Sequence, residues 1–314
     1  MKMMTIDFDR LYSSLAETFA GQQKRVDVES PLGIYYGISP DRHLRLAFRS
    51  TVDPPKIEST QLLLVTQGEE SHNVYWSCFD LLSQDAQAAY FAFCENLVEA
   101  VRISSSEAEA LSRLKRRYLS WKALFKKNAT RKASREIIQG LYGELYFLNS
   151  YMIDKYGQTE AINAWGGPDA TSKDFAINTD WYEVKTIGVS SPCVQISSLA
   201  QLSSDIPGRL VVVRAERMAD EFSNGLSCIS ELMAAILSKI DDETAESVFI
   251  SKVSGYGIDI SDTVFATKFD VKSVNLFCVE NDFPRITVDK IPYPEITNVS
   301  YEISVAAISR FLEE

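Results

Sequence analysis

Lys173-Asp174-Phe175-Ala176-Ile177-Asn178-Thr179-Asp180-Trp181-Tyr182-Glu183-Val184-Lys185-Thr186 is the stretch that decides how the chain is read. Polar and apolar side chains alternate on both sides of Asn178-Thr179, with β-branched and aromatic residues at the outer positions. That period of two is the one a half-buried β-hairpin requires. A symmetric even turn centred between Asn178 and Thr179 pairs Ile177 with Asp180 and, further out, Asp174 with Glu183. Directly opposed residues have Cβ atoms about 4.5–5.5 Å apart, so two carboxylates stand side by side. Lys185, two positions beyond Glu183, points the same way. Opposed like charges are unfavourable in a sheet unless neutralised, and a divalent cation together with the lysine would neutralise them. The stretch predicts a metal site suited to phosphodiester hydrolysis.

Upstream, residues 135–156 carry a helical apolar stripe of Ile137, Leu141, Leu148 and Tyr151, with Glu144 inside it. An unpaired buried carboxylate is costly, so Glu144 should meet a cation, a donor or a water-filled site; a structural pair with Lys or Arg is the plain alternative. Gly140 and Gly143 flank it in GLYGELYFL. Each glycine costs a helix interior about 1 kcal/mol relative to alanine, so the pair suggests that the helix backbone approaches another element closely.

Outward from this centre the chain falls into four segments. Residues 1–80 form a β-rich accessory unit, with a helix over 8–19 and strands over 32–38, 44–48, 61–66 and 74–79 between turn-rich pieces. Residues 81–134 form a helical connector, in which Leu111, Leu114, Tyr118, Trp121 and Phe125 recur at three- and four-residue steps after a capping box at Ser106-x-x-Glu109. Residues 135–215 hold the core: the Glu144 helix, a strand over 161–165, the hairpin, a strand or helix start over 194–202 and a buried strand at 209–214. Residues 216–314 complete or extend that core with a helix over 223–240 and strands over 248–251, 263–265, 271–279 and 303–307.

Composition narrows the chemistry. With 314 residues, 46% of them hydrophobic, the chain can bury a sizeable core, and no run of about 18 apolar residues predicts a membrane span. No apolar signal core opens the sequence, and the five cysteines, Cys78, Cys94, Cys193, Cys228 and Cys278, are scattered without a CxxC pair. Both traits point to a cytoplasmic chain with free thiols. Only His43 and His72 are histidines, which argues against chemistry built on several imidazoles. The net charge of −11 is unevenly spread: residues 113–135 hold ten Lys or Arg and no acid. Arg113, Arg116, Arg117, Lys126, Lys127, Arg131 and Lys132 of that stripe are the candidate phosphate contacts, and a solvated helix face is the alternative reading. Tyr118 and Trp121 are expected in the core.

Mg²⁺ suits such a site because it is held by one or two carboxylates and retains waters of its own. Asp174 and Glu183 are the expected metal ligands, joined by the main-chain carbonyl of Val184. Lys185 would orient the attacking water and oppose developing negative charge, and Glu144 would hold a second metal or a water beside the first. An acidic-x-Lys triplet is weak evidence alone, because Asp270-Val271-Lys272 is a second one, with Asp259 and Asp262 upstream. The opposed Asp174, the preceding Glu144 helix and the order of elements favour the first. Gln195 and Gln201 are expected to be surface amides.

A helix bearing glutamate, then strands bearing an aspartate and an acidic-x-Lys triplet, resembles the core of the PD-(D/E)XK nuclease superfamily. GLYGELYFL, Trp165-Gly166, KDF, WYEVKT, ISSLAQL, DFPRI and VSYEI more narrowly resemble a bacterial family of PD-(D/E)XK motif proteins often encoded beside DNA methyltransferases and other restriction or defence genes. The resemblance implies an α/β (α+β) restriction-endonuclease-like core, with a central mixed sheet flanked by helices beside the N-terminal β-rich unit. It implies Glu144, Asp174, Glu183 and Lys185 as the catalytic set, and Pro168-Asp169 makes Asp169 a rival to Asp174. The expected activity is a Mg²⁺-dependent DNA endonuclease, with Mn²⁺ as a substitute, acting in restriction or anti-phage defence as a homodimer or with partner proteins. A catalytically inactive nucleic-acid-binding or scaffolding subunit of a defence complex is the alternative.

Overall fold

Alternating apolar residues pair the N-terminal strands into one antiparallel sheet, and the hairpin at 174–183 seeds a second, mixed one. In the computed structural model, the described residues are 1–314 without 1–5, 7, 16–18, 27, 123, 126–133, 170–171, 223, 259, 261–262, 281, 294 and 314. The chain divides into two compact units, one of residues 1–132, 237–241 and 257–266, the other of 133–236, 242–256 and 267–314.

The first unit opens with α1 (Phe8–Ser13), followed by β1 (Gln23–Arg25), β2 (Gly33–Ile38), β3 (Leu44–Ser50), β4 (Leu63–Ser71) and β5 (Val74–Leu81). These five strands lie in the order β1-β2-β3-β5-β4, every pair antiparallel. Two helices follow, α2 (Gln87–Arg102) and α3 (Glu107–Lys122). Tyr36 packs on Tyr12, and Phe79 packs on Phe93 and Tyr118, so aromatic rings join the sheet to its helices. β1, reading Gln-Lys-Arg, has no apolar alternation and gives no strand signal. The helix expected over 8–19 is described only as far as Ser13.

In the second unit α4 (Arg135–Phe147) continues through a π turn, Leu148–Met152, into α5 (Ile153–Tyr156). The helix expected over 135–156 is therefore present, although Ile137 is exposed and Ile138, Tyr142 and Leu145 join Leu141 and Leu148 as its buried residues. After α6 (Gln158–Ala164) come β6 (Phe175–Ile177), β7 (Asp180–Ile187), β8 (Cys193–Ile196) and β9 (Gly208–Arg217). The unit ends with α7 (Ile229–Lys239), part of which belongs to the first unit, then α8 (Glu243–Gly255), β10 (Phe269–Val279) and β11 (Tyr301–Ser304). One sheet has the order β10-β9-β7-β6, parallel between β7 and β9 and antiparallel elsewhere; β8 and β11 form a second, antiparallel pair. This is an α+β fold of the restriction-endonuclease-like kind, a mixed sheet flanked by helices.

Side-chain parity along β7 gives the sheet its two faces. Trp181 joins Val194, Ile196, Leu210, Val212, Phe277 and Ile303 in one buried cluster. Tyr182 instead meets Phe147 of α4, their ring centroids 5.5 Å apart. Further along the strand Gly143 meets Thr186 so closely that a Cβ on the glycine would overlap the threonine hydroxyl. The close approach expected of the two glycines is thus made by Gly143, whereas a Cβ at Gly140 would meet nothing within 4 Å.

Three expected strands are not strands. Residues 161–165 lie mostly in α6, with Trp165 alone bridging to Phe175. Residues 248–251 lie in α8, where Phe249, Ile250 and Val253 are buried. Residues 263–265 form part of a 3₁₀ turn. In each case a short run of β-branched or aromatic residues buries equally well on a helix, and so few positions cannot separate the two periods.

Candidate active site

The hairpin register is Phe175 with Tyr182, Ala176 with Trp181 and Ile177 with Asp180, the pairing expected from a turn centred between Asn178 and Thr179. The next positions outward are Asp174 and Glu183. Asp174 is anchored at both ends of its residue: its carbonyl accepts from the Gly166 amide at 2.7 Å, and Oδ2 accepts from the Val184 amide at 2.7 Å. Glu183 is 2% exposed, and its Oε1 lies 2.9 Å from Lys185 Nζ. The local sequence explains the placement: β-branched and aromatic neighbours hold the strand, and the alternation puts both members of the acidic-x-Lys triplet on one side.

Glu144 comes from α4, whose backbone is brought against β7 at Gly143 and Thr186. Its Oε2 accepts two hydrogen bonds, from Trp165 Nε1 at 2.7 Å and from Tyr256 OH at 2.8 Å. The partners are neutral donors, so the structural Glu–Lys or Glu–Arg alternative does not describe it.

Electrostatics ties the three acids together. Burial pushes Glu144 up to about 8, with the Asp174 charge next in importance, while the bonds from Trp165 and Tyr256 pull the other way. Glu183 is likewise pushed up to about 8, first by burial and then by Asp174, against the opposing pull of Lys185. Asp174 is itself raised by burial, opposed by the Val184 amide and by Lys185 and Lys173. Asp174 thus raises both glutamates and Glu183 raises Glu144, so the ionised forms of the two glutamates are disfavoured where they stand.

Among the described residues, no three His, Cys, Asp or Glu side chains stand as a ready ligand set. The donors fit a divalent ion of the Mg²⁺ kind nonetheless: two carboxylates and a main-chain carbonyl suffice for an ion that keeps several waters, and a cation there would favour the ionised glutamates that burial and Asp174 disfavour.

Sequence reasoning missed three residues here. Lys173 is 8% exposed, donates to the carbonyls of Ala200, Gln201 and Ser203 at 2.6, 2.7 and 3.1 Å, and lies 4.0 Å from the Trp181 ring centroid. Burial lowers it to about 8. It ties the hairpin to the 3₁₀ turn Leu199–Gln201. Trp165 sits in a Trp-Gly-Gly turn, and Tyr256 follows α8, a segment that gives no chemical signal.

The other candidates separate. In α3, Arg113 is bound to Glu109 at 3.0 Å, and Arg116 and Arg117 are half-buried. Lys126, Lys127, Arg131 and Lys132 lie outside the described residues. Tyr118 and Trp121 are core side chains, Trp121 Nε1 donating to Asn96 at 2.9 Å. Asp169 ends a 3₁₀ turn, Gly167–Asp169, and its side chain lies outside the described ones. In the second triplet Lys272 folds back onto Asp270, and Asp259 and Asp262 are outside the described residues. Gln195 bonds Ser300, and Gln201 bonds the Ser197 amide, as surface amides do. Among the described residues no helix is long and apolar enough to cross a membrane.

A family model described as "Putative PD-(D/E)XK family member, (DUF4420)" matches residues 8–306. No curated protein matches the chain, and no solved structure does.

Proposed function

This chain belongs to the PD-(D/E)XK family whose model spans it, and from that premise we propose that it is a Mg²⁺-dependent endonuclease that hydrolyses DNA phosphodiester bonds in restriction or anti-phage defence. The observation that carries this reading is the convergence of Asp174, Glu183, Lys185 and Glu144: the buried Glu183 and the half-buried Glu144 both feel the Asp174 charge, and Lys185 pairs with Glu183.

Asp174 commits Oδ2 to the Val184 amide and Glu183 commits Oε1 to Lys185. The second oxygen of each, with the Val184 carbonyl, would hold the ion. Bound Mg²⁺ would supply charge neutralisation at the phosphoryl group and polarise it toward attack. Lys185 would orient the attacking water and oppose the negative charge that grows as the phosphorus–oxygen bond breaks. Its ion pair with Glu183 sets where that positive charge stands. Arg113, Arg116 and Arg117 of α3 in the first unit would contribute sequence-independent phosphate contacts, each giving up a present partner, which for Arg113 is Glu109.

Purified protein incubated with plasmid and Mg²⁺ or Mn²⁺ tests the proposal beside Asp174→Ala and Lys185→Ala. Metal-dependent cutting that falls at least a hundredfold in both variants supports it. Equal cutting by all three, or none by the wild type with either metal, defeats it, and the second result would favour an inactive nucleic-acid-binding or scaffolding subunit.

A further inference from the structure

Glu144 is held by one oxygen. Trp165 Nε1 and Tyr256 OH both donate to Oε2, at 2.7 and 2.8 Å, from positions 21 and 112 residues away in sequence. Both donors are themselves fixed. Trp165 is fully buried and stacks on Tyr256, with ring centroids 6.2 Å apart and 19° between planes. Trp165 also packs on Phe249 of α8. Lys252 of α8 donates to the carbonyls of Ile162, Asn163 and Trp165, closing the end of α6. Gly255 lies against Pro168, where a Cβ would come 2.6 Å from the proline Cγ. The α8 segment is therefore seated closely on the Trp165–Pro168 turn, which places the tyrosine hydroxyl beside Oε2 of Glu144.

We infer that Trp165 and Tyr256 are positioning residues that occupy Oε2 of Glu144 and leave Oε1 as its single working oxygen toward a divalent cation and the waters around it. The inference rests on the metal-dependent reading proposed above. Second partners of this kind restrict a carboxylate to one orientation, and their loss lowers metal affinity by about 10–100-fold in known sites. With Oε2 held by two donors, Glu144 would meet the ion or one of its waters through Oε1 alone.

Titration calorimetry with Mn²⁺ as the probe tests this on full-length wild type, Tyr256→Phe, Trp165→Phe, Glu144→Gln and the double variant Tyr256→Phe/Glu144→Gln. Tyr256→Phe removes one hydroxyl and keeps the ring stack, so it is the decisive variant if Trp165→Phe fails to fold. The expected result is about a tenfold weaker Mn²⁺ affinity in Tyr256→Phe. In the Glu144→Gln background, the same change should produce no further weakening. If wild type binds Mn²⁺ and Tyr256→Phe binds it equally well, the inference is overturned while the metal-dependent reading survives. The same holds if the tyrosine change weakens binding equally in both backgrounds. No Mn²⁺ binding by wild type overturns both.

Discussion

Gly143 and Thr186 are in direct contact across the helix–sheet interface, and no side chain larger than hydrogen fits at 143 while Thr186 stays where it is. That contact brings the Glu144 helix onto the strand that carries Glu183 and Lys185. Gly143→Ala should destabilise the protein by about 2 kcal/mol, because overpacking outweighs the helical preference for alanine. Gly140→Ala, in open space, should stabilise it by about 1 kcal/mol. The Thr186 hydroxyl is buried without a hydrogen-bond partner among the described residues, so Thr186→Ala should be tolerated and should rescue Gly143→Ala. Urea unfolding of the single variants and the 143/186 double variant measures all of these, and additive effects of the 143 and 186 changes would refute the contact as the cause.

The acids at the site give stability a pH dependence of unusual sign. Glu183 and Glu144 are pushed up to about 8 from an ordinary 4.5, so the folded chain binds protons that the unfolded chain has released. Their neutral forms favour the fold fully below about pH 4.5, and that contribution is lost as pH rises through 8, at up to about 1.4 kcal/mol per pH unit for each group. Metal-free protein should therefore melt at a lower temperature at pH 8.5 than at pH 6. Glu183→Gln should flatten the profile, and Mg²⁺ should raise the melting temperature more at pH 8.5. A profile unchanged by Glu183→Gln would disprove the assignment.

Lys173 bonds three carbonyls from a position 8% exposed. Lys173→Met keeps the length of the side chain and removes the ammonium, leaving acceptors without their donor. A loss of about 3 kcal/mol is expected, measured by chemical denaturation.

If α3 supplies phosphate contacts, Arg116→Gln combined with Arg117→Gln should weaken DNA binding without regard to sequence. The slope of log affinity against log salt should become shallower by about 1 for each phosphate that is no longer neutralised. Fluorescence anisotropy with duplex DNA across a salt series gives that slope. An unaltered slope would assign the two arginines to the packing of their own unit.

How much of this was visible in the sequence varied with distance along the chain. The hairpin register was legible to the residue, because alternation is strict there and the turn is short. The helix over 135–156 was legible in extent but not wholly in facing: Ile137 completes the sequence pattern yet is exposed, while Ile138 and Tyr142 are buried. Residues 161–165 and 248–251 misled because their apolar runs are shorter than the span needed to tell a period of 3.6 from one of 2. The donors to Glu144 could not have been found by pattern at all. Tyr256 lies 112 residues from its partner, and only the seating of α8 on the Trp165–Pro168 turn brings them together.

The even, symmetric hairpin makes its own length an inherited constraint. Side chains alternate strictly between faces, so inserting or deleting one residue between 174 and 183 would turn one of the two acids to the wrong side of the sheet, whereas a change of two would restore the parity. By this geometry the count between the two acids tolerates change by two and not by one. When a divergent relative is compared with this chain, the number of residues separating its two acids is a sharper criterion of a surviving site than the letters between them.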